Sequence, residues 1–427
     1  MTAVPEQETT LYDLAVIGAG YVGVPLAATF AEADQRVLLI DVQPTLVEAL
    51  NRGESHIEDV SSERFAKLVE AGRIVATTDY ELVRQAHAIL IALPTPLSPQ
   101  REPDLSYIER AATSLAPVLQ RGQTVILEST TWPGTTREVL LPLLEEGSGL
   151  KAGEDFHLAM SPERVDPGRE DWTTKTTPKV VGGVNAESTA AAAAVYRRAL
   201  DKVHEVSTPD AAELTKLLEN IYRAVNIALV NELAQLCDRM EIDVWEVVEA
   251  AATKPFGFAS FKPGPGLGGH CIQIDPFYLT WKAREYDFST RFIELAGEVN
   301  NNMPYFCRSL ISQALNHGAR KSVSGSKVLI VGVAYKPDIG DHRETPAEKL
   351  ILLLRNAGAD VSYHDPYVPE FGGMRSMPLQ PEAYDCVAIV TNHSTIDYGE
   401  LVRRGNVIVD FRNATKGHEV DGKVWKL

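Results

Sequence analysis

A single thiol stands where the chain gathers its most reactive residue types. Cys271 follows a loop in which Gly264, Gly266, Gly268 and Gly269 are interleaved with Pro263 and Pro265, and Asp275 comes four residues later. These glycines and prolines forbid regular helix or strand across 263–269. They also let backbone N–H groups approach an anion closely. A thiol just beyond such amides is placed to act as a nucleophile. The competing reading is a plain turn followed by a buried cysteine, since free Cys commonly fills cores. A second set, Lys216, Asn220 and Arg223, falls at i, i+4 and i+7, on one face of a helix, where a polar stripe is ordinarily solvated. A third is Gly18, Gly20 and Gly23 with Asp41 beyond them; a fourth is Lys336 and Arg343, cations that would grip a phosphate or simply face solvent.

The elements that must position these groups follow from patterning. Residues 12–17 read as a buried strand, the glycines as a turn, and the apolar run to 33 as a helix. A second strand over 36–40 ends on Asp41. In that context Gly18 allows the tight turn, Gly20 admits a pyrophosphate, and Gly23 lets helix and strand pack closely. Asp41 accepts both ribose hydroxyls and favours NAD over NADP. Strands at 88–93, 124–128, 156–160, 180–183 and 203–206 alternate with helices at 105–119 and 186–200. The carboxyl ends of such strands face the ligand, which puts Pro94, Ser129 and Thr130 along the cofactor cleft. From 209 to 240 there is neither Gly nor Pro, and the apolar spacing predicts one long amphipathic helix. Further helices are expected at 244–252, 278–286 and 291–315. Strands at 327–332, 361–364, 385–391 and 406–411, with a helix capped by Thr345, make a second Rossmann-like domain.

The fold expected is therefore α/β: two Rossmann-like doubly wound domains joined by a long central helix and a helical middle domain. The boundaries fall at 1–207, 208–317 and 318–427, with residues 1–10 a disordered tail. The chain has 427 residues and a formal charge of −17, which argues against a partner held by clustered cations, whether nucleic acid or an anionic membrane. Cys237, Cys271, Cys307 and Cys386 lie far apart, without CxxC or metal-ligand spacing, so no metal is implied, and scarce thiols fit the cytosol. The N-terminus carries Glu6 and Glu8 and no basic segment, unlike a signal peptide. The uncharged run 14–31 contains three glycines and Pro25, and reads as strand, turn and helix rather than a membrane span.

Taken together, these segments resemble the UDP-glucose/GDP-mannose dehydrogenase family of nucleotide-sugar 6-dehydrogenases over almost the whole chain. The residues that carry the likeness are Gly18 through Ala27, Ser129-Thr130, Ser161-Pro-Glu163, Lys216 with Leu217 through Asn220, Gly268 through Cys271 with Asp275, and Ala334-Tyr-Lys336 with Arg343-Glu-Thr-Pro346. The resemblance implies NAD as cofactor, a UDP-sugar substrate bound by the last domain, and a long helix that makes a homodimer or higher homo-oligomer. It implies a cytoplasmic enzyme of polysaccharide biosynthesis that oxidises a sugar C6 alcohol to a carboxylate with two NAD+ and one water. NAD would be held by Gly18, Gly20, Tyr21, Val22, Gly23, Asp41, Pro94, Thr95, Ser129, Thr130 and Arg343. The sugar nucleotide would be held by Glu163, Arg164, Lys216, Asn220, Lys262, Gly264, Gly266, Leu267, Gly268, Tyr335 and Lys336.

The residues suit that chemistry. A water held by Thr130 and Asp275 would take the alcohol proton. Cys271 would capture the aldehyde as a thiohemiacetal whose oxidation gives a thioester. Lys216 and Asn220 would stabilise the oxyanion, and Glu163 would activate water for hydrolysis. The segment 161–168 resembles the branch acting on N-acetylated hexosamines. UDP-N-acetylglucosamine is therefore the expected substrate, with the N-acetylmannosamine epimer next and UDP-glucose after it. Gln273 departs from that branch, where proline is usual. Two other classes compete: a two-electron hydroxy-acid dehydrogenase would not need Cys271, and a silent sugar-nucleotide sensor would not need Lys216, Cys271 or Asp275.

Overall fold

The computed structural model describes residues 11–98, 102–165 and 171–427, and of His270 and Cys271 only the backbone. The expected N-terminal tail and the positions Asp166, Pro167 and Gly168 of the substrate segment lie outside the described residues. The chain divides into two compact units, Met1–Glu219 with Trp281–Tyr286, and Asn220–Thr280 with Asp287–Leu427.

The first unit is built on an eight-stranded sheet. Its strands are β1 (Tyr12–Ile17), β2 (Val37–Ile40), β3 (Ile74–Thr77), β4 (Ala86–Ile91), β5 (Thr124–Leu127), β6 (His157–Met160), β7 (Lys179–Gly183) and β8 (Val203–Glu205). The order is β3-β2-β1-β4-β5-β6-β7-β8, parallel throughout except where β7 runs antiparallel to β6. Strands buried on both faces read as continuous apolar runs, and Val37–Ile40 is buried at every residue. One face packs Leu14, Val16, Val37 and Leu39 with Phe30 of the helix Gly23–Glu32 and Tyr196 of the helix Ala186–Tyr196. Each such side chain stabilises by about 1.5–3 kcal/mol. Strand order reverses between β1 and β4, so this sheet has its switch point there.

The second unit holds a five-stranded parallel sheet. Its strands are β9 (Lys327–Val331), β10 (Asp360–His364), β13 (Cys386–Ile389), β14 (Ile408–Asp410) and β15 (Val424–Lys426), with a small hairpin of β11 (Glu370–Phe371) and β12 (Met374–Arg375). The order β10-β9-β13-β14-β15 again reverses beside the first strand. Alternation along β9 separates the two faces. Val328 and Ile330 share a core with Trp245, Val248, Met303 and Leu310 of the helices Val244–Ala252 and Arg291–Ala314, whereas Leu329 and Val331 pack with Val387, Leu401 and Ile408. The helical middle thus shares one core with the second sheet.

The expected α/β class, with two parallel sheets and a central helical region, holds. The helix Pro209–Met240 has the bounds its sequence predicts. Two differences stand out. The strand β3 and the helices Pro44–Asn51 and Ser62–Glu70 lie in a stretch for which the sequence yielded no element. The helix expected from 278 begins at His270 and runs to Ala283. Pro276 sits in its second turn, where the ring sacrifices one internal hydrogen bond and the helix continues.

Candidate active site

In the first unit the turn after β1 is set by Gly18, whose φ of 101° suits glycine. A Cβ there would stand 2.4 Å from the Ala92 carbonyl oxygen, at the end of the neighbouring β4. Gly23 is equally constrained, since its Cβ would meet the Gly18 oxygen at 1.8 Å. Gly20 is different: among the described residues nothing lies within 4 Å of its absent Cβ. That opening sits at the start of the helix Gly23–Glu32, where free N–H groups favour a phosphate. Tyr21 is exposed beside it and Val22 is half-buried. Asp41 accepts from Ala19 N and Gln43 N, each at 3.0 Å, and stays half-buried with room for further donors. These residues fit a dinucleotide.

Two side chains expected to touch the cofactor are engaged within the protein. Ser129 Oγ accepts from Leu93 N at 2.9 Å and donates to Ile91 O at 3.3 Å, which ties the ends of β4 and β5 together. Thr95 Oγ1 donates to Thr130 O at 2.8 Å. Both hydroxyls position the loop that carries Thr130, while Pro94 is exposed beside them.

Glu163 follows β6 and meets the first turns of the long helix electrostatically. Its Oε1 accepts from Arg164 N and Val165 N, both at 2.7 Å, and its Oε2 lies 3.4 Å from Lys179 Nζ. Burial pushes its carboxyl up, but Lys179, these amides and Lys216 outweigh burial and hold it below the usual range. Lys216 is only 7% exposed, so the expected solvated stripe is instead buried at this position. Arg164, expected at the substrate, pairs with Glu219 at 2.6 Å and donates to Pro178 O at 2.6 Å.

In the second unit Asn220 Nδ2 donates to Asp275 Oδ2 at 2.5 Å, and both residues are 3% exposed. Because the helix starts at His270, Cys271 and Asp275 stand one turn apart on it. The Cys271 side chain lies outside the described residues. The glycine loop is packed on its own unit: a Cβ on Gly268 would stand 2.5 Å from Tyr335 Cβ, and one on Gly264 would stand 2.5 Å from an Arg412 nitrogen. Gly266, with φ of 130°, faces Pro346 and the Asn300 carbonyl. Two loop amides serve internally, Gly264 N to Asn231 Oδ1 and Gly269 N to Arg343 O. Leu267 O accepts from Gln273 Nε2, which also reaches Glu344 O at 2.9 Å. Gln273 therefore fastens the glycine loop to the loop after β9.

That second loop carries Tyr335 and Lys336, both half-buried, and Arg343, which pairs with Asp341 at 2.6 Å. Lys262 is exposed at the other end of the glycine loop. The unit thus brings Gly264–Gly269 and Tyr335–Lys336 together from opposite ends of its sequence. The remaining cysteines, Cys237, Cys307 and Cys386, are buried. Burial drives the Cys386 thiol up to about 12 and the Cys307 thiol higher still. Among the described residues no group of three acidic, His or Cys side chains is arranged to hold a metal, and no helix is long and apolar enough to cross a membrane.

Sequence reasoning missed two groups of side chains. Arg412 lies just past β14, half-buried with its guanidinium against Gly264, and desolvation pushes it down to about 10. Its place at the carboxyl end of a parallel strand was the available signal. Lys179 and Glu128 form a buried pair behind Glu163, at 2.5 Å. A lysine opening the apolar run Val180–Val181 was the only hint of it.

Residues 12–200, 210–302 and 329–417 match, in turn, the NAD binding, central and UDP binding domains of the UDP-glucose/GDP-mannose dehydrogenase family. The chain is 36% identical to a UDP-N-acetyl-D-mannosamine dehydrogenase of Pyrococcus horikoshii, over 94% of this chain and 96% of that one. It is 34% identical to a UDP-N-acetyl-D-glucosamine 6-dehydrogenase of Pseudomonas aeruginosa, over 89% of this chain and 90% of that one. The solved UDP-D-ManNAc dehydrogenase of Pyrococcus horikoshii superposes with a TM-score of 0.89 at 34% identity, covering 97% of this chain and 98% of that chain. A UDP-glucose dehydrogenase of Pyrobaculum islandicum gives 0.86 at 27% identity, covering 100% and 99%.

Proposed function

Because the chain belongs to the UDP-glucose/GDP-mannose dehydrogenase family, and is an NAD-dependent nucleotide-sugar dehydrogenase, we propose that it converts UDP-N-acetylglucosamine to its uronic acid. Cys271 carries the second oxidation. The observation that bears most weight is the buried Asn220–Asp275 pair, which sets a carboxylate withdrawn from water one helical turn from Cys271, as a reaction site does.

NAD, when bound, takes up a hydride at each of the two oxidations. The alcohol proton passes to a water held at Asp275. The Cys271 thiolate adds to the aldehyde, and Lys216 and Asn220 supply the donors for the oxyanion of that adduct. Glu163 removes a proton from the water that hydrolyses the thioester. Lys336 and Tyr335, with the glycine loop, take the UDP moiety, and the division at 207 and 317 remains our reading of the domains. A homodimer is the proposed assembly. Leu218, Tyr222, Leu229, Leu236 and Met240 all lie exposed along the helix Pro209–Met240, and such a stripe is costly to leave in water.

The N-acetylmannosamine epimer is the second reading, favoured by the substrate named for the Pyrococcus horikoshii relative. Measuring NADH formation with UDP-N-acetylglucosamine, UDP-N-acetylmannosamine and UDP-glucose separates the three. Higher kcat/KM with either of the others would displace the first choice. Cys271→Ser should nearly abolish acid formation while retaining substrate binding, and normal release of two NADH by that variant would rule out the thioester route.

A further inference from the structure

Behind Glu163 the first unit buries a second carboxylate and a lysine that the mechanism above does not use. Lys179 opens β7, and its Nζ lies 2.5 Å from Glu128 Oε2 and 3.4 Å from Glu163 Oε2. Glu128 follows β5 and is 1% exposed; Tyr196 donates its hydroxyl to Glu128 Oε1 and lays its ring 5.3 Å from the ammonium. An isolated ammonium and two carboxylates are each costly to bury, so such a triad persists only where its charges compensate. Glu128 and Lys179 lie 51 residues apart in sequence, and both are buried.

The two carboxylates differ in surroundings. Glu163 has two backbone amides, Lys179 and the Lys216 charge to favour its ionised form. Glu128 has Lys179 and a phenol, and burial raises it to about 6 against them, with the Glu163 charge adding to the rise. Among the described residues, Arg164 beside Glu163 is paired with Glu219.

We propose that Lys179 is a positioning residue that keeps Glu163 ionised and aimed for water activation, and that Glu128 is the counter-charge that regulates how much of the ammonium Glu163 feels. The inference rests on the reading of Glu163 as the base for hydrolysis. Removing the ammonium leaves two carboxylates facing each other, so Glu163 becomes harder to ionise. Removing the Glu128 charge gives Glu163 the whole ammonium and makes it easier to ionise. Opposite charge within a few ångströms shifts a carboxyl by about 1–3 units.

The test is the pH dependence of uronic acid formation in single turnover, between pH 3 and 9, with UDP-N-acetylglucosamine and NAD+, because the unaltered limb lies below the usual carboxylate range. Lys179→Met should move the acidic limb up by about one unit or more, and Lys179→Arg should restore most of that shift. Glu128→Gln should move the limb the other way, toward lower pH, with the KM for NAD+ unchanged. Shifts of opposite sign are not what a loosened core produces. A limb that stays in place while the rate falls, or moves the same way in both variants, overturns the proposal. If Lys179→Met does not fold, the Glu128→Gln and Lys179→Arg limbs still decide it. Glu163→Gln distinguishes the two levels: normal acid release by that variant defeats the base reading itself. A stalled acyl adduct in Glu163→Gln, together with unmoved limbs in the others, defeats only the role of Lys179.

Discussion

The two sheets solve the same local problem and then put the result to different uses. Each first strand ends on a glycine with positive φ, Gly18 at 101° and Gly332 at 84°. Each of those glycines presses against a carbonyl at the end of the strand across the switch point, Ala92 O and Thr391 O, both 2.4 Å from the absent Cβ. Each second strand is followed by an aspartate that accepts from the turn: Ala19 N to Asp41, and Val333 N and Ala334 N to Asp365. There the likeness ends. Asp41 keeps an exposed side, with two amides as its partners. Asp365 is closed in by Tyr367 N, Val368 N and buried His393, which lies 3.0 Å away. These donors overcome burial and hold the Asp365 carboxyl below its ordinary range. One aspartate is left available for ribose hydroxyls, and the other is consumed in fixing a loop. His393 Nδ1 accepts from Asp338 N at 3.0 Å, so the same network pins the loop that carries Lys336. An inherited position can thus keep its geometry while its chemistry turns inward.

If the glycine turns are one device used twice, alanine should damage both alike. Gly18→Ala and Gly332→Ala each impose a backbone clash and a positive φ on a side chain, and should cost about 3 kcal/mol or more. Unfolding in urea would show it, and a mild effect at only one site would break the comparison. Asp365→Asn should come next, since an amide cannot accept from five donors; a loss of about 3 kcal/mol is expected. With its folded pKa lowered, Asp365 contributes stability that is present above its unfolded pKa and lost as pH falls through the folded value. Wild-type melting should therefore weaken in acid, and the variant should lose part of that dependence.

The ligand-directed variants should be gentler. Lys336→Ala is expected to raise the KM for UDP-sugar about 10–100-fold, the equivalent of one charge-assisted contact, and to leave the KM for NAD+ nearly unchanged. An unchanged KM for UDP-sugar would return Lys336 to the surface. Asp41→Asn should raise the KM for NAD+ about tenfold and lower stability by less than about 1 kcal/mol, the reverse of Asp365→Asn. A variant of Asp41 that unfolds like that of Asp365 would erase the distinction between the two sheets.

Much of this was legible in the chain itself. The fingerprint glycines, Asp41, the long helix and the strand ends that hold Glu163 and Lys336 follow from periodicity and turn chemistry. Those signals are local. What escaped depends on residues far apart in sequence meeting across a sheet, as Glu128 meets Lys179 and Arg412 meets Gly264. Nothing near Ser129 or Gln273 announces that their polar groups are spent inside the protein. The early start of the helix at His270 escaped for a different reason: the glycine-rich loop runs up to Gly269 and Pro276 lies six residues past His270, and both argue locally against helix there.

The burial of Cys237, Cys307 and Cys386 has a practical side. Reagents that alkylate thiols need the thiolate and a clear approach, and burial denies these three the approach. For the native protein at neutral pH, adduct mass after brief exposure to a maleimide or iodoacetamide therefore becomes a reading of position 271 alone. Labelling at that position would make the chain its own single-cysteine reporter, with protection by substrate or cofactor measurable as slower labelling.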